Sequence, residues 1–326
     1  MPTLLRDIFL NHPAPLLWGV TAVAVLLVLG ALAAALMPRL KPGADHRNLQ
    51  QRVASWWVMA ALLVAGLLLG WQAMIALFAV VSFIALREFL SLSPLDRADR
   101  LIVLVAYLTI PLCYGLVAAN QYGKYLVAVP VYAFLILPFL MACAGQTERY
   151  LARAAVVHWG VVTCVFNLGF IPFLMMVPAW EAPQAGAAGM VFLLLLATEL
   201  NDVAQYCWGK AIGRLNILGK IMPRVSPNKT WEGFLGGWAT TAAVILVLGP
   251  IFTPLHGIGL WTVALLLPPT GFAGDVTMSA IKRDLGVKDT SALIPGHGGV
   301  LDRIDSLTFT APLYFHLMAF FALDRF

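Results

Sequence analysis

Apolar stretches long enough to cross a lipid bilayer recur along the whole chain of 326 residues. A membrane-spanning α-helix needs about 20 predominantly apolar residues. Ten stretches approach this length, at about residues 15–37, 54–70, 71–88, 101–119, 125–144, 155–178, 188–209, 233–253, 258–281 and 306–323. Only 11% of the residues are charged, against about 25% in soluble domains, which excludes an ordinary cytosolic enzyme. We expect an all-α, polytopic integral membrane protein with about nine to ten transmembrane helices, forming a single domain over residues 1–326.

Two regions allow an alternative topology. The first span could be a cleaved signal peptide, because residues 31–35 are mostly small. Its apolar run is longer than that of an ordinary signal peptide, and basic residues follow it instead of preceding it, which favours a retained helix. Residues 54–88 could form one hairpin or a re-entrant pair, since the two spans meet at Gly70 and Trp71.

Basic residues are concentrated in alternate loops between the spans. Of the 21 Lys and Arg residues, 18 lie in or beside the odd-numbered loops, and the exceptions are Arg6, Lys124 and Arg325. Cytoplasmic loops of membrane proteins retain positive charge during insertion. The pattern predicts that the odd-numbered loops face the cytoplasm and that both termini lie outside.

Charged residues collect near the carboxyl end of the chain. Residues 275–305 hold nine charged side chains, and charge in a lipid-embedded chain is costly and is commonly functional. Asp302 and Asp305 are three residues apart, so on one helix they share a face and could ligate a hard cation such as Mg²⁺. The alternative is structural, with Asp302 as a helix N-cap and Asp305 complementing the helix dipole.

A glycine-rich motif, PGHGG at residues 295–299, lies within the charged region. Glycines let the backbone approach an anion closely and present N–H donors to it. His297 is the one histidine of six that stands among glycines beside charged residues. Three nearby basic residues could be membrane-interface anchors, but with the acids and glycines they are more typical of a phosphate site: Lys282, Arg283 and Lys288.

A second polar cluster begins inside the seventh span. Spacings of three and four residues give one polar helix face, formed by Glu199, Asp202, Gln205 and Tyr206. An acid inside the membrane is a functional candidate by default, although Glu199 could also be merely paired and buried.

A short polar turn follows at residues 226–233, where the eighth span begins. Asn228, Thr230 and the free N–H groups of the helix start could hold a phosphate, with Lys229 as a point charge beside it. Gly233 and Gly237 form a GxxxG pair, which more often marks close helix packing than catalysis.

Three segments in this order resemble the conserved blocks of the phosphatidate cytidylyltransferases, the CDP-diacylglycerol synthases. They read NDVAQYCWGK at residues 201–210, SPNKTWEGFLGG at 226–237 and SAIKRDLGVKDTSALIPGHGGVLDRID at 279–305. The resemblance covers about residues 190–310, which we take as the region that carries the catalytic motifs. Many bacterial members read DTGAY where this chain reads DVAQY, so Gln205 replaces a small residue, a departure that bears on nucleotide or lipid preference.

The resemblance implies an enzyme that transfers CMP from CTP to phosphatidate, releases pyrophosphate and requires Mg²⁺, with a second metal or a monovalent cation as a further expectation. It implies metal ligation by Asp275, Asp302 and Asp305. The residues expected to act in catalysis are Asp202, Lys282, Arg283, Lys288, His297 and Arg303. The residues expected to bind substrate are Ser226, Asn228, Lys229, Thr230, Gly298 and Gly299.

The same resemblance implies the surroundings of the protein. We expect a polar cavity that opens to the cytoplasm, with a lateral gap for acyl chains, in the bacterial inner membrane. The lipid bilayer and a second copy of the chain are the expected partners, and nucleic acid is not expected.

Two other functions compete with this interpretation. One is another membrane transferase that uses CTP or a CDP-lipid, such as a CDP-alcohol phosphotransferase, although the acid series typical of that enzyme is not found in this sequence. The other is an ion-coupled transporter in which Glu199 and Asp202 bind a cation. Such a transporter leaves the glycine-rich phosphate motif without a role.

Overall fold

The computed structural model describes residues 12–40, 46–96, 99–145, 147–178, 181–215 and 217–323. The model is 79% helical, and the described residues contain no β-strand, only isolated bridges between Lys220 and Thr230 and between Ile294 and Gly298. The predicted all-α class is therefore confirmed. Four of the basic residues used in the topology prediction lie outside the described residues: Arg6, Lys41, Arg97 and Arg325.

Nine helices of the described residues are long and apolar enough to cross a membrane. They are α1 (Ala14–Leu40), α2 (Arg47–Leu69), α3 (Trp71–Leu92), α4 (Arg100–Ala118), α5 (Tyr122–Cys143), α6 (Tyr150–Leu174), α7 (Gly186–Ala211), α8 (Trp231–Phe252) and α9 (Gly257–Asp284). A short helix α10 (Leu301–Ile304) and the 16-residue helix α11 (Leu307–Ala322) follow. At 1.5 Å per residue α11 is about 24 Å long, shorter than a hydrocarbon core of about 30 Å. The described residues thus contain nine helices long enough to cross a membrane, which agrees with the expected nine to ten. The tenth expected span, 306–323, forms the shorter helix α11.

The stretch 54–88 forms two separate helices. Gly70 alone joins α2 to α3, with a φ of 96° that an L side chain rarely adopts. A Cβ added at Gly66 on α2 would meet the side chains of Met74 and Leu77 on α3, so the two helices pack closely beside the turn. The stretch therefore forms two helices joined by a turn, and the choice between a membrane-crossing hairpin and a re-entrant pair stays a prediction.

Contacts among the described residues bring alternate loops to one end of the bundle. Arg52 near the start of α2 and Glu88 near the end of α3 both hydrogen bond to residues 290–301, which follow α9. Arg153 near the start of α6 pairs with Asp99, which precedes α4. The basic loops therefore gather at the same end, and the side of the membrane that this end faces stays a prediction.

The core of the bundle surrounds α11. Tyr314, Phe315 and Met318 on this helix are fully buried, and its neighbours are α6, α7 and α9. In contrast, only Leu16 and Ala34 of α1 are buried among its described side chains, so α1 presents an apolar surface suited to lipid. The single-domain prediction and the choice between a retained and a cleaved first span both stay predictions.

Helices α7 and α8 pack closely through small residues. A Cβ added at Gly233 would lie 2.8 Å from the carbonyl oxygen of Gln205, and one added at Gly237 would lie 2.4 Å from the Gln205 side chain. The predicted role of the GxxxG pair in helix packing is confirmed. This contact aligns the polar face of α7 with the start of α8.

We predict that Gly233→Ala destabilises the protein, by about 1–3 kcal/mol, because the new methyl group would clash with backbone that cannot move away cheaply. Gly30→Ala is the matched control, since Gly30 is also helical and a Cβ there meets nothing within 4 Å. Thermal unfolding in detergent should show a lower melting temperature for Gly233→Ala and an equal or slightly higher one for Gly30→Ala. Equal melting temperatures for the two variants would contradict the packing described here.

Candidate active site

Three carboxylates from different elements lie near one another at the end of the bundle. Asp202 is on α7, Asp275 is on α9, and Asp305 lies between α10 and α11. Burial and the negative charges of Asp275 and Asp202 raise the pKa of Asp305. Ser306 links two of the acids, since its N–H donates to Asp305 Oδ1 at 2.9 Å and its hydroxyl donates to Asp202 Oδ2 at 2.9 Å. We call these three residues the carboxylate cluster.

The carboxylate cluster is only partly satisfied by neighbouring donors. Lys229 Nζ contacts Asp275 Oδ2, and the Ser279 hydroxyl donates to Asp275 Oδ1 at 3.2 Å. Asp202 Oδ1 is buried without a hydrogen-bond partner among the described residues. A buried carboxylate oxygen without a donor is costly, so the cluster is suited to a positively charged ligand.

A cavity of about 500 Å³ with charged side chains in its walls opens beside Asp202 and Asp275 of the carboxylate cluster. Its walls come from α7, α8, α9 and the segment before α8, and the lining residues are Asp202, Gln205, Tyr206, Gly209, Lys210, Arg214, Asn228, Lys229, Thr230, Phe234, Phe272 and Asp275. Three of these side chains are basic and two are acidic. Opposite charges on the walls of one cavity suit a ligand that carries both phosphate groups and metal ions.

Aromatic rings support two of the basic side chains in the cavity. Lys229 Nζ lies 4.5 Å from the ring centre of Phe272, and Lys210 Nζ lies 4.9 Å from that of Tyr206. Cation–π contacts of this kind hold an ammonium group in place without neutralising its charge. Lys210 therefore offers its positive charge to an anionic ligand, whereas Lys229 shares its charge with Asp275.

The backbone N–H groups at the start of α8 have hydrogen-bond partners within the protein, which the sequence analysis did not expect. Thr230 caps the helix, with its hydroxyl accepting the Gly233 N–H at 3.1 Å, and the Trp231 N–H donates to the carbonyl of Gly219 at 3.1 Å. These N–H groups are thus occupied within the protein. Asn228 and Thr230 still line the cavity, whereas Ser226, also expected to bind substrate, is not among its lining residues.

Asp302 makes hydrogen bonds with a different set of residues from those that contact the carboxylate cluster. Its Oδ1 pairs with Lys282 Nζ at 2.7 Å, and its Oδ2 accepts the Thr290 N–H, the Thr290 hydroxyl and the Gly299 N–H at 2.7, 2.9 and 2.9 Å. Hydrogen bonds thus occupy both oxygens, so Asp302 has a structural role here, although not the expected one of N-cap, since Val300 precedes α10 as its N-cap. Its assignment as a metal ligand stays a prediction, as does the catalytic role of Lys282.

Residues 290–301, which we call the glycine loop, connect α9 to α10 and contain the PGHGG motif. Gly296 and Gly298 have positive φ angles of 76° and 84°, so the motif needs glycine at these turns. His297 Nδ1 is buried without a hydrogen-bond partner among the described residues. Burial and the positive charges of Arg303 and Arg52 lower the pKa of His297, so this histidine is neutral near pH 7.

The remaining residues expected in the site take different positions. Arg303 is half-buried, and its Nε has no hydrogen-bond partner among the described residues. Its charge acts on Glu199 of α7. Arg283 and Lys288 are exposed, and Arg283 Nη1 donates to the carbonyl of Val287 at 2.9 Å. Neither lines the cavity, and their catalytic roles stay predictions.

Residues in the amino-terminal half that the sequence analysis missed hold the glycine loop. Glu88 accepts hydrogen bonds from both ends of the loop. Arg52 Nε donates to the carbonyl of Gly296 at 2.9 Å, and the Ser55 hydroxyl donates to that of Pro295 at 2.8 Å. The one available signal was an acid, Glu88, at the end of an apolar span, where an unpaired carboxylate is costly.

Comparison with known proteins adds to this geometry. The family model described as "Cytidylyltransferase family" matches residues 50–321. This chain belongs to the cytidylyltransferase family. The match includes the whole cavity, the carboxylate cluster and the glycine loop, and it begins beside Arg52.

Relatives within the family include proteins of known and unknown activity. The chain is 40% identical to Escherichia coli K12 YnbB, described as uncharacterized, over 272 residues, or 82% of this chain and 87% of YnbB. It is 28% identical to a phosphatidate cytidylyltransferase of Staphylococcus epidermidis over 269 residues, or 78% of this chain and 94% of the relative. A phosphatidate cytidylyltransferase of Brucella suis is 38% identical over 158 residues, or 48% of this chain and 56% of the relative.

Family membership and the nine long apolar helices together define the general class of the protein. It is a nucleotidyltransferase and an integral membrane protein. The resemblance of the three motifs to this family is confirmed. The comparisons give no support to the alternative of an ion-coupled transporter that binds a cation at Glu199 and Asp202.

We predict unequal effects from breaking the buried Lys282–Asp302 pair from either side. Asp302→Ala leaves a buried ammonium group and the N–H groups of Thr290 and Gly299 without an acceptor, while the Thr290 hydroxyl keeps Glu88. The change should cost about 3–5 kcal/mol of stability. Lys282→Met should cost less, because Asp302 keeps the donors of Thr290 and Gly299. Thermal unfolding in detergent measures the difference, and equal losses would show that the donors of Thr290 and Gly299 contribute little.

Proposed function

We propose that this cytidylyltransferase transfers CMP from CTP to phosphatidate, giving CDP-diacylglycerol and pyrophosphate. The observation that carries the proposal is the cavity in which basic side chains lie with Asp202 and Asp275 of the carboxylate cluster. The names of the Staphylococcus epidermidis and Brucella suis relatives support phosphatidate as the acceptor. The two substrates are both anionic, and the cavity offers the mixed charge that such a pair needs.

The reaction needs little help from a general base. A phosphate monoester has a second pKa near 6, so the phosphate of phosphatidate is largely dianionic at neutral pH. A phosphate oxygen forms the new bond to the α-phosphorus of CTP, and the bond from that phosphorus to the bridging oxygen of pyrophosphate breaks. The main barrier is repulsion between two polyanions, so catalysis depends on positioning and on neutralising charge.

The basic wall of the cavity is suited to the triphosphate of CTP. Lys210, Arg214 and Lys229 line it together, and they present positive charge where the departing pyrophosphate would accumulate negative charge. Asn228 and Thr230 add polar groups on the same wall. The aromatic ring of Phe272 beneath Lys229 keeps that ammonium group directed into the cavity region.

The carboxylate cluster is suited to Mg²⁺. Its donors are all oxygens, the ligands that Mg²⁺ prefers, and the unpartnered Oδ1 of Asp202 is a free ligand atom. Asp275 and Asp305 were expected as ligands, and we propose Asp202 as a third, because Ser306 links it to Asp305. When bound, Mg²⁺ would supply positive charge to phosphate oxygens and reduce the repulsion between the substrates. Among the described residues no three His, Cys, Asp or Glu side chains already converge on one point, so water and substrate would complete the coordination.

The membrane sets the direction of substrate access. The basic residues of the odd-numbered loops gather at the end of the bundle that carries the cavity, and positive charge marks the cytoplasmic side. We therefore propose a site that faces the cytoplasm, where CTP is found, in the bacterial inner membrane. A lateral gap for the acyl chains, a homodimer and a monovalent cation stay predictions.

We predict that the purified protein in mixed micelles with phosphatidate, CTP and Mg²⁺ forms CDP-diacylglycerol and pyrophosphate in equal amounts. Lys229→Met should lower kcat/KM for CTP about 100-fold, because the charge that stabilises the pyrophosphate is lost. Arg224→Met is the matched control, since Arg224 is exposed in the same segment and does not line the cavity. Formation of CMP instead of pyrophosphate, or a product only with a different lipid acceptor, would overturn the proposal.

We predict that Asp275→Asn and Asp305→Asn each weaken the binding of a divalent cation about 10- to 100-fold. Mn²⁺ serves as the probe, and electron paramagnetic resonance measures its binding to the purified protein without substrates. Asp284→Asn is the control, because Asp284 is exposed at the end of the same helix as Asp275. Equal affinities in all three variants would exclude the carboxylate cluster as the metal site.

A further inference from the structure

Glu88 is a buried acid that lies outside the three conserved motifs. It is one turn before the end of α3 and is 6% exposed. The four hydrogen bonds that it accepts come from the Thr290 hydroxyl, the Ser291 hydroxyl, the Val300 N–H and the Leu301 N–H, at 3.1, 2.7, 3.0 and 2.9 Å. All four donors belong to the glycine loop, more than 200 residues away in sequence.

The four donors come from the two ends of the glycine loop. Thr290 and Ser291 begin it, while Val300 and Leu301 end it. Each carboxylate oxygen of Glu88 accepts one hydroxyl from the first pair and one N–H from the second. A single carboxylate therefore joins the two ends, and this restricts how the PGHGG motif between them can move.

The loop needs glycine at position 299 for this arrangement. A Cβ added at Gly299 would lie 2.4 Å from Glu88 Oε2 and 2.2 Å from Thr290 Oγ1. Any side chain would push the carboxylate and the hydroxyl away. The second glycine of the GG pair is thus explained by the close approach of Glu88 and by the N–H that Gly299 donates to Asp302.

Thr290 connects Glu88 to Asp302. Its hydroxyl lies 3.1 Å from Glu88 Oε2 and 2.9 Å from Asp302 Oδ2, so one hydrogen is shared between two carboxylates. Asp302 in turn pairs with Lys282. The chain of contacts therefore leads from α3 through the glycine loop to α9, the helix that carries Asp275.

We propose that Glu88 is a positioning residue of the transferase, which fixes the glycine loop and, through the Thr290 hydroxyl, the Asp302–Lys282 pair, three residues before Asp305 of the carboxylate cluster. Glu88 does not line the cavity, so it acts through the residues it holds. The kinetic consequence rests on the proposed function, whereas the fixing of the loop does not. CTP should still bind in the cavity when Glu88 is changed, but the reaction should be slow.

The test compares Glu88→Gln with the pair Thr290→Val and Thr290→Ser in purified full-length protein. Glutamine places an NH₂ group where two donors need an acceptor, valine removes the connecting hydroxyl, and serine keeps it. We expect kcat to fall about 10- to 100-fold in Glu88→Gln and Thr290→Val, with a dissociation constant for CTP within about twofold of the original. Thr290→Ser should keep most of the activity.

Hydrogen exchange measured by mass spectrometry gives a second readout that needs no lipid substrate. Peptides covering residues 290–303 should exchange faster in Glu88→Gln and Thr290→Val, while peptides from α8 should be unchanged. Asp99→Asn is the matched control. Asp99 is also a buried carboxylate, 1% exposed, and its contacts are with Asp96 and Arg153. This variant should leave exchange of the glycine loop and kcat unchanged.

Three outcomes would overturn the role of Glu88. The first is unchanged exchange of residues 290–303 in Glu88→Gln, and the second is equal impairment of Thr290→Ser and Thr290→Val. The third is a loss of CTP affinity as large as the loss of kcat. If the original protein makes no CDP-lipid, the proposed function fails, and the exchange measurement still decides whether Glu88 holds the loop.

Discussion

A carboxylate that leaves water must recover its lost hydration from protein donors or from a bound cation. Acids that recover hydration from protein donors and acids that lack such donors lie together at one end of the bundle. Asp302 and Glu88 accept four contacts each and hold the glycine loop between α3 and α9. The carboxylate cluster has fewer donors, and Asp202 keeps one buried oxygen without any among the described residues. Asp302 and Glu88, whose oxygens all have donors, hold the glycine loop in place. The carboxylate cluster, which has fewer donors, is suited to a cationic ligand.

The sequence predicts most of what depends on local pattern. Apolar length alone predicts the nine long helices, because a membrane leaves a hydrogen-bonded helix as the only way for such a segment to cross. The spacing of Asp202 and Gln205 places both on one face of α7, and both line the cavity. Lys229 and Thr230 also line it, since the polar turn ends where α8 begins. Each of these follows from residues near one another in sequence.

What the sequence could not predict depends on partners supplied by other helices. Asp302 and Asp305 are three residues apart, and the expectation that they share one helix face and one cation stays a prediction, since Asp302 lies in α10 and Asp305 lies after it. Their surroundings differ, because Lys282 and Thr290 satisfy Asp302, whereas Asp275 and Asp202 lie near Asp305. Glu88 was missed for the same reason, since its donors lie more than 200 residues away. A single sequence shows where charges stand along the apolar spans but not which donors from other helices reach them.

The amino-terminal half contacts the region that carries the motifs and is not only a membrane anchor. The three motifs lie within residues 190–310, yet the glycine loop among them is held by Arg52, Ser55 and Glu88 from α2 and α3. The family match begins at residue 50, where these contacts begin, and α1 lies before it. A fragment with all three motifs would lack the donors and the acceptor that fix the loop. The contacts that hold the three motif segments and the glycine loop thus extend from the start of α2 to α11, much as the family match does.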